Sequence, residues 1–180
     1  MMVNRILSAL VISATLALPL TACKEEAAVK PAPVTMTDEA LGYYCQMYLA
    51  DHGGPKAQIH EKGQDHPLWF SQVSDAVTYL RGGEKRGDVT AVYVSDMEKA
   101  PSWAEPGRDN WIDADAALFV IGSRQAGAMA MPEAIPFGSQ KAADDFVARE
   151  GGAIVKLADI PDKYLGPANA EPNSHSDMQM

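Results

Sequence analysis

Apolar residues come in short bursts along this chain, separated by polar or glycine-rich breaks, and the period within each burst predicts its element. Val89 to Ser95 reads Val-Thr-Ala-Val-Tyr-Val-Ser, a strand by its β-branched content. Ala57 to Lys62 predicts another strand and Cys45 to Ala50 a shorter one. Asp51-His52-Gly53-Gly54-Pro55 lies between them as a turn, so the two pair as a hairpin. Pro67-Leu68-Trp69-Phe70 then leads into a helix, with Ser71 as N-cap, Val73, Ala76, Val77 and Leu80 on one face, and Gly82-Gly83 as the stop. Downstream, Trp111 to Ala114 and Ala117 to Gly122 read as strand with a bulge, and Ile135-Pro136-Phe137 as a short strand or a helix approach. Ser139 opens a second helix, whose Ala142, Ala143, Phe146 and Val147 face inward. Gly151-Gly152 ends it before the strand Ala153 to Leu157.

The order strand, strand, helix, strand therefore occurs twice, with Phe70-Ser71 and Phe137-Gly138-Ser139 at matching helix entrances and double glycines at both exits. This predicts an α+β fold of two similar units, 38–109 and 110–165, each a small sheet covered by one helix.

The ends of the chain follow other rules. Met1 to Ala22 has a positively charged start at Arg5, an apolar run from Ile6 to Leu20 and small residues before Cys23, the pattern of a cleaved secretory signal. The run is too short for a membrane span, which takes about 20 apolar residues. Leu20-Thr21-Ala22-Cys23 resembles a bacterial lipobox, which implies lipidation of the Cys23 sulfur. Lys24 in the next position resembles the sorting signal for the outer membrane, facing the periplasm. Residues 23–37 are charged and rich in Ala and Pro, as expected of a flexible tether, and 166–180 have the composition of a disordered tail.

The formal charge is -9, and loss of Arg5 with the signal makes it one unit more negative. An acidic chain repels phosphate backbones, so nucleic acid is excluded as a partner. Hydrolase, zinc-protease, P-loop and dinucleotide signatures are absent, and no Cys-x-x-Cys supports dithiol chemistry.

What remains is sulfur. With Cys23 consumed by lipid, Cys45 is a lone thiol in an oxidising compartment, two residues before Met47. On a strand, positions i and i+2 share a face, and a thiolate with a thioether is a soft pair that suits Cu(I) over Zn, Mg or Ca. The bland alternative is an inert core Cys beside a core Met. Met129 and Met131 lie in a loop, where either offers another thioether or plugs the loop against the core. Among the histidines, His52, His60 and His66 each read either as an exposed polar residue or as the third ligand through an imidazole nitrogen. His60 has the best case as an imidazole ligand, because the predicted hairpin brings it across from Cys45 and Met47. His175, Met178 and Met180 in the tail add a weak soft-metal sequence.

Taken in order, Cys23, Cys45-Gln46-Met47, Gly54-Pro55-Lys56-Ala57-Gln58-Ile59, Tyr93-Val94-Ser95-Asp96-Met97, Trp111-Ile112-Asp113-Ala114 and the stretch from Gly127 to Phe137 resemble the NosL family of nitrous oxide reductase accessory lipoproteins. The resemblance implies a periplasmic Cu(I) metallochaperone; a monomer that is not an enzyme is expected beside it, with a thiol-bridged Cu(I) dimer left open. It would supply copper to nitrous oxide reductase through a membrane ABC-type maturation complex. It also implies an architecture related to an organomercurial lyase, with Cys45 and Met47 as ligands and Met129 as the third; Ala130 stands where the family often has Gly. A second function stays open, an assembly lipoprotein acting by protein contact with Cys45 incidental. A thiol-dependent lyase is disfavoured, because one mature thiol offers no second thiolate.

Overall fold

The computed structural model describes residues 29–164; the signal segment 1–22, Cys23 and the tail 166–180 lie outside them. The first unit runs β1 (Ala57–Glu61), β2 (Leu68–Phe70), α1 (Val73–Arg81) and β3 (Val89–Ser95). It is followed by β4 (Trp111–Asp113), β5 (Leu118–Ile121), β6 (Ile135–Phe137), α2 (Gln140–Glu150) and β7 (Ala153–Val155). Two antiparallel sheets result, ordered β2-β1-β3-β4 and β6-β5-β7. In each, the first strand of the unit is central, flanked by its hairpin partner and by the strand that follows the helix. The repeat predicted from element order thus extends to strand order, and the fold is α+β as expected.

Three local expectations change. Residues 45–50 are not a strand, and β1 pairs instead with β2 (Ala57 opposite Phe70) and β3 (Ala57 opposite Val94). Trp111 to Ile121 is two strands in different sheets: β4 pairs with β3, whereas β5 opens the second sheet, and a turn at Ala114–Ala116 redirects the chain between them. A single sequence pattern cannot show this, because both pieces satisfy the same alternation. The N-cap of α1 is Gln72 rather than Ser71, and its side chain makes no cap bond. Ser139 does cap α2, accepting from Ala142 N–H at 3.2 Å.

Helix α1 is buried from Val73 to Tyr79, far beyond a single apolar stripe. It lies between its own sheet and the second unit. Ala57, Ile59, Phe70 and Val94 pack with Val73, Ala76, Val77 and Tyr79, and the second unit adds Phe119, Ile121 and Ala134. Each Val, Ile or Phe among them contributes roughly 1.5–3 kcal/mol on burial. Helix α2 covers a smaller cluster of Val120, Ile135, Phe137 and Ala143, with Phe146 and Val147 against it.

The free face of the first sheet is covered by the chain before it. Residues 30–36 are not tether: Val34 N–H donates to Gln58 Oε1 at 2.8 Å, Gln58 Nε2 returns to the Val34 carbonyl at 3.0 Å, and Tyr93 O–H donates to the Pro31 carbonyl at 2.6 Å. Lys30 pairs with Asp113, and Met36 is buried beside Ala40 and Leu49. A Pro-rich segment exposes its backbone, and here a buried glutamine satisfies it. Gln58→Ala is expected to release residues 30–34, cost about 1 kcal/mol of stability, and speed amide exchange at Val34 while leaving exchange in α2 unchanged.

Candidate metal centre

Cys45 stands at the tip of a tight hairpin rather than on a strand. Gly42 N–H donates to the Met47 carbonyl at 2.9 Å, Gln46 N–H to the Gly42 carbonyl at 2.9 Å, and Leu49 N–H to the Ala40 carbonyl at 2.9 Å. To close the turn, Gln46 takes φ 55, a left-handed conformation that costs a non-glycine residue roughly 1–2 kcal/mol. Its side chain offsets this by donating from Nε2 to the Tyr43 carbonyl at 2.7 Å. The shared-face spacing of an extended Cys-x-Met does not apply here, because Gln46 is not extended.

The tip is fastened to the first unit. Tyr43 N–H donates to the Trp69 carbonyl at 2.7 Å, and the Tyr43 and Tyr44 rings pack on Phe70 and Tyr79 with centroids 5.3–6.4 Å apart. Tyr44 O–H reaches Glu84, and burial with that carboxylate pushes the phenol well above its usual range. Cys45 Sγ lies 3.4 Å from Ser71 Oγ, just before α1. A Cβ on Gly42 would sit 2.3 Å from that sulfur, so glycine is required for the thiol to fold back over the turn.

Met129 stands on a turn of the second unit. Gly127 N–H donates to the Met131 carbonyl at 2.8 Å and Ala130 N–H to the Gly127 carbonyl at 3.1 Å, closing a turn in which Ala130 has φ 56. The left-handed position explains why glycine suits this place, and Ala130 occupies it at some strain. The turn lies against Gln72: a Cβ on Gly127 would approach Gln72 Oε1 to 3.0 Å. The two loops therefore approach consecutive residues, Ser71 for the hairpin and Gln72 for the turn. Met47 is 39% and Met129 40% exposed, against 5% for Met36, so these thioethers are displayed rather than packed. Met131 is 43% exposed and its carbonyl closes the turn.

His60 is placed elsewhere. The hairpin register that would set it opposite Cys45 does not form. Its ring packs edge-on to Tyr93, and Nε2 lies 2.9 Å from Gln58 Oε1, which is acceptor-only, so Nε2 donates and cannot ligate. Burial pushes the imidazole below its ordinary range. Among the described residues no three His, Cys, Asp or Glu side chains converge as a metal site. The available donors are thus sulfur, and they fit a soft, low-coordinate ion and not zinc.

Two buried ionic groups that the sequence reading passes over frame the site. Glu133 accepts from Ser74 N–H at 2.9 Å, Ala134 N–H at 2.8 Å and Val73 N–H at 3.3 Å, replacing the missing cap of α1. Lys56 Nζ donates to the Gly53 and Gly54 carbonyls at 2.9 and 2.8 Å. Burial lowers its ammonium to about 8, with Glu133 and Cys45 pulling the other way. The only signal for Glu133 in the sequence is a single acid inside the apolar run from Ala128 to Phe137.

The NosL family model matches residues 33–165. A relative from Achromobacter cycloclastes, named copper-binding lipoprotein NosL, is 50% identical over 155 residues, covering 86% of this chain and 80% of its own. One of the same name from Stutzerimonas stutzeri is 29% identical over 167 residues, 92% of this chain and 86% of that one. The crystal structure of the copper chaperone NosL from Shewanella denitrificans superposes with a TM-score of 0.66 at 30% identity, covering 73% of this chain and 96% of that chain.

Burial raises the Glu133 carboxyl to about 7 against the pull of its three N–H donors. The folded chain therefore holds this proton up to about pH 7, whereas the unfolded chain loses it near 4.5. The contribution is full below the unfolded value and is lost as pH rises through 7. Urea titrations at pH 5 and 7.5 are expected to show a fall in stability in the wild type, relative to Glu133→Gln, across that interval.

Proposed function

The chain belongs to the NosL family, and on that premise we propose that it carries copper as Cu(I) on Cys45, Met47 and Met129. Its role is to hand the ion on during assembly of the copper centres of nitrous oxide reductase, through the ABC-type maturation complex. The observation that carries this reading is the display of two thioethers, each about two-fifths exposed, on loops that approach the consecutive residues Ser71 and Gln72, the first of which touches the half-buried thiol. Methionine is ordinarily buried, and exposing it at the surface gains nothing for packing.

The chemistry follows from the donor set. Cu(I) is soft and is content with few ligands, so thiolate and thioether hold it without a fourth group. Binding releases the Cys45 proton, and the ion moves without change of oxidation state. Thioethers are weak, neutral donors. A partner's sulfur displaces Met47 or Met129 first, and the Cys45 thiolate leaves last. Leu41 and Tyr48, opposite each other on the hairpin arms and 44% and 50% exposed, give the partner an apolar rim to dock against. The protein is a carrier, used once per ion, and not an enzyme.

Lipid on Cys23 would hold this carrier at the periplasmic face of the outer membrane, the compartment in which the lone thiol needs a reason to stay reduced. Among the described residues no helix is long and apolar enough to cross a membrane.

Competition of the protein with a chromogenic Cu(I) chelator tests the assignment. Cys45→Ser is expected to abolish competitive binding, and Met47→Leu and Met129→Leu to weaken it by at least about 10-fold to 100-fold, since loss of even an outer partner that orients a ligand costs that much. His60→Ala is expected to leave affinity unchanged. Unchanged affinity in Cys45→Ser would sink the copper site as placed and leave an assembly protein that acts by contact.

A further inference from the structure

The Met129 turn and the Cys45 hairpin belong to different units, so their relative position depends on whatever fixes one unit to the other near Ser71 and Gln72. The second unit's Glu133 side chain is 2% exposed and carries two oxygens that receive three backbone N–H groups. Two of those donors, Val73 and Ser74, open α1 in the first unit. A helix start leaves its first N–H groups unpaired, and Gln72 supplies no side-chain bond to them. The third donor is the adjacent Ala134. The carboxylate thus ties the end of the Met129 turn to the helix that begins two residues after Ser71, the residue touching Cys45 Sγ.

The turn itself leaves little slack. Gly127 is bonded to Met131, and a Cβ added to Gly127 would lie 3.0 Å from Gln72 Oε1 and 3.1 Å from Glu133 Cβ. Gln72 Oε1 is buried without a hydrogen-bond partner, so a polar cost is accepted to let the turn lie that close. From Gly127 to Ala134 the segment is pinned at both ends, and Met129 projects between the pins.

We infer that Glu133 is a positioning residue for metal binding: by capping α1 across the unit boundary it fixes the Met129 turn beside the Cys45 hairpin. This rests on Met129 being the third copper donor. A purely structural cap would lower stability and leave the site's affinity alone. A positioning residue changes affinity, and does so only while Met129 is there to be positioned.

The test uses the full chain in detergent at pH 8, with Glu133→Gln, Met129→Leu, the double variant and Gly127→Ala. Gln keeps one acceptor oxygen and loses the other, and Gly127→Ala displaces the turn without touching the buried charge. Amide exchange at residues 127–132 in the metal-free protein is expected to rise about tenfold in Glu133→Gln, as for loss of one charge-assisted bond. Cu(I) affinity is expected to fall by a similar factor, with a smaller fall in Gly127→Ala and no further loss when Glu133→Gln is added to Met129→Leu. Two results would overturn the inference: unchanged affinity in both Glu133→Gln and Gly127→Ala while Met129→Leu weakens binding, or losses that simply add in the double variant. Faster exchange in Glu133→Gln with full affinity in Met129→Leu would retain the docking role and remove Met129 from the ligand set. Where Glu133→Gln does not fold, Gly127→Ala against Met129→Leu decides by the same comparison.

Discussion

A carboxyl group with almost no access to water joins the two halves of this protein, and it ties the end of the Met129 turn to the start of α1. Burying Glu133 carries a desolvation cost of several kcal/mol, which the three N–H groups and the start of α1 that converge on it offset only in part. Asp96 makes the reciprocal tie: from the end of the first unit's β3 it accepts from Gly138 N–H at 2.9 Å, just before α2. Each unit therefore places one acid at the other's helix entrance. A Cβ on Gly138 would collide with Asp96 at 2.7 Å, so the second tie also depends on a glycine. The repeat of strand, strand, helix, strand is a pair of small sheets made into one structure by these crossed carboxylates and by an α1 buried on both sides.

On the proposed reading, the copper site is built by neither unit alone. The Cys45 hairpin is tied to β2 and to the aromatic cluster of the first unit. The Met129 turn is tied to Gln72 and Glu133. Met47 and Met129 are exposed while the backbones of their loops are held, so under that proposal a soft ion would meet positioned ligands at a surface that another protein can reach. Holding the backbones lowers the ordering cost of binding, and exposure keeps ligand exchange fast. A buried cage of the same donors would bind more tightly and release poorly, and would suit a resident cofactor better than cargo.

Much of the fold was legible in the chain because it is local. Val89 to Ser95 and the Ser139 cap with its following helix depend on neighbours in sequence, and both form as read. The matching order of elements at either end gave the repeat. What stayed hidden depends on distant residues. Gln46 in a left-handed turn makes Cys45 to Ala50 look like a strand in its composition and behave as a hairpin tip in space. Trp111 to Ile121 reads as one strand, although β3 and β6 claim its two ends. Residues 30–36 have tether composition, yet buried Gln58 binds them. Within the site, Cys45, Met47 and Met129 stand out as exposed or half-buried sulfur. Glu133 and Lys56 do not stand out, because a lone charge in sequence reveals nothing of its burial. His60 was drawn in by a pairing that β2 occupies instead.

Absorption at the copper edge reports the ligand set directly. Extended X-ray absorption fine structure on the Cu(I)-loaded protein is predicted to show a shell of sulfur scatterers only, with one fewer in Met129→Leu and no imidazole signature. An imidazole signature in the wild type that vanishes in His60→Ala, or a shell unaltered by Met129→Leu, would contradict the site described here.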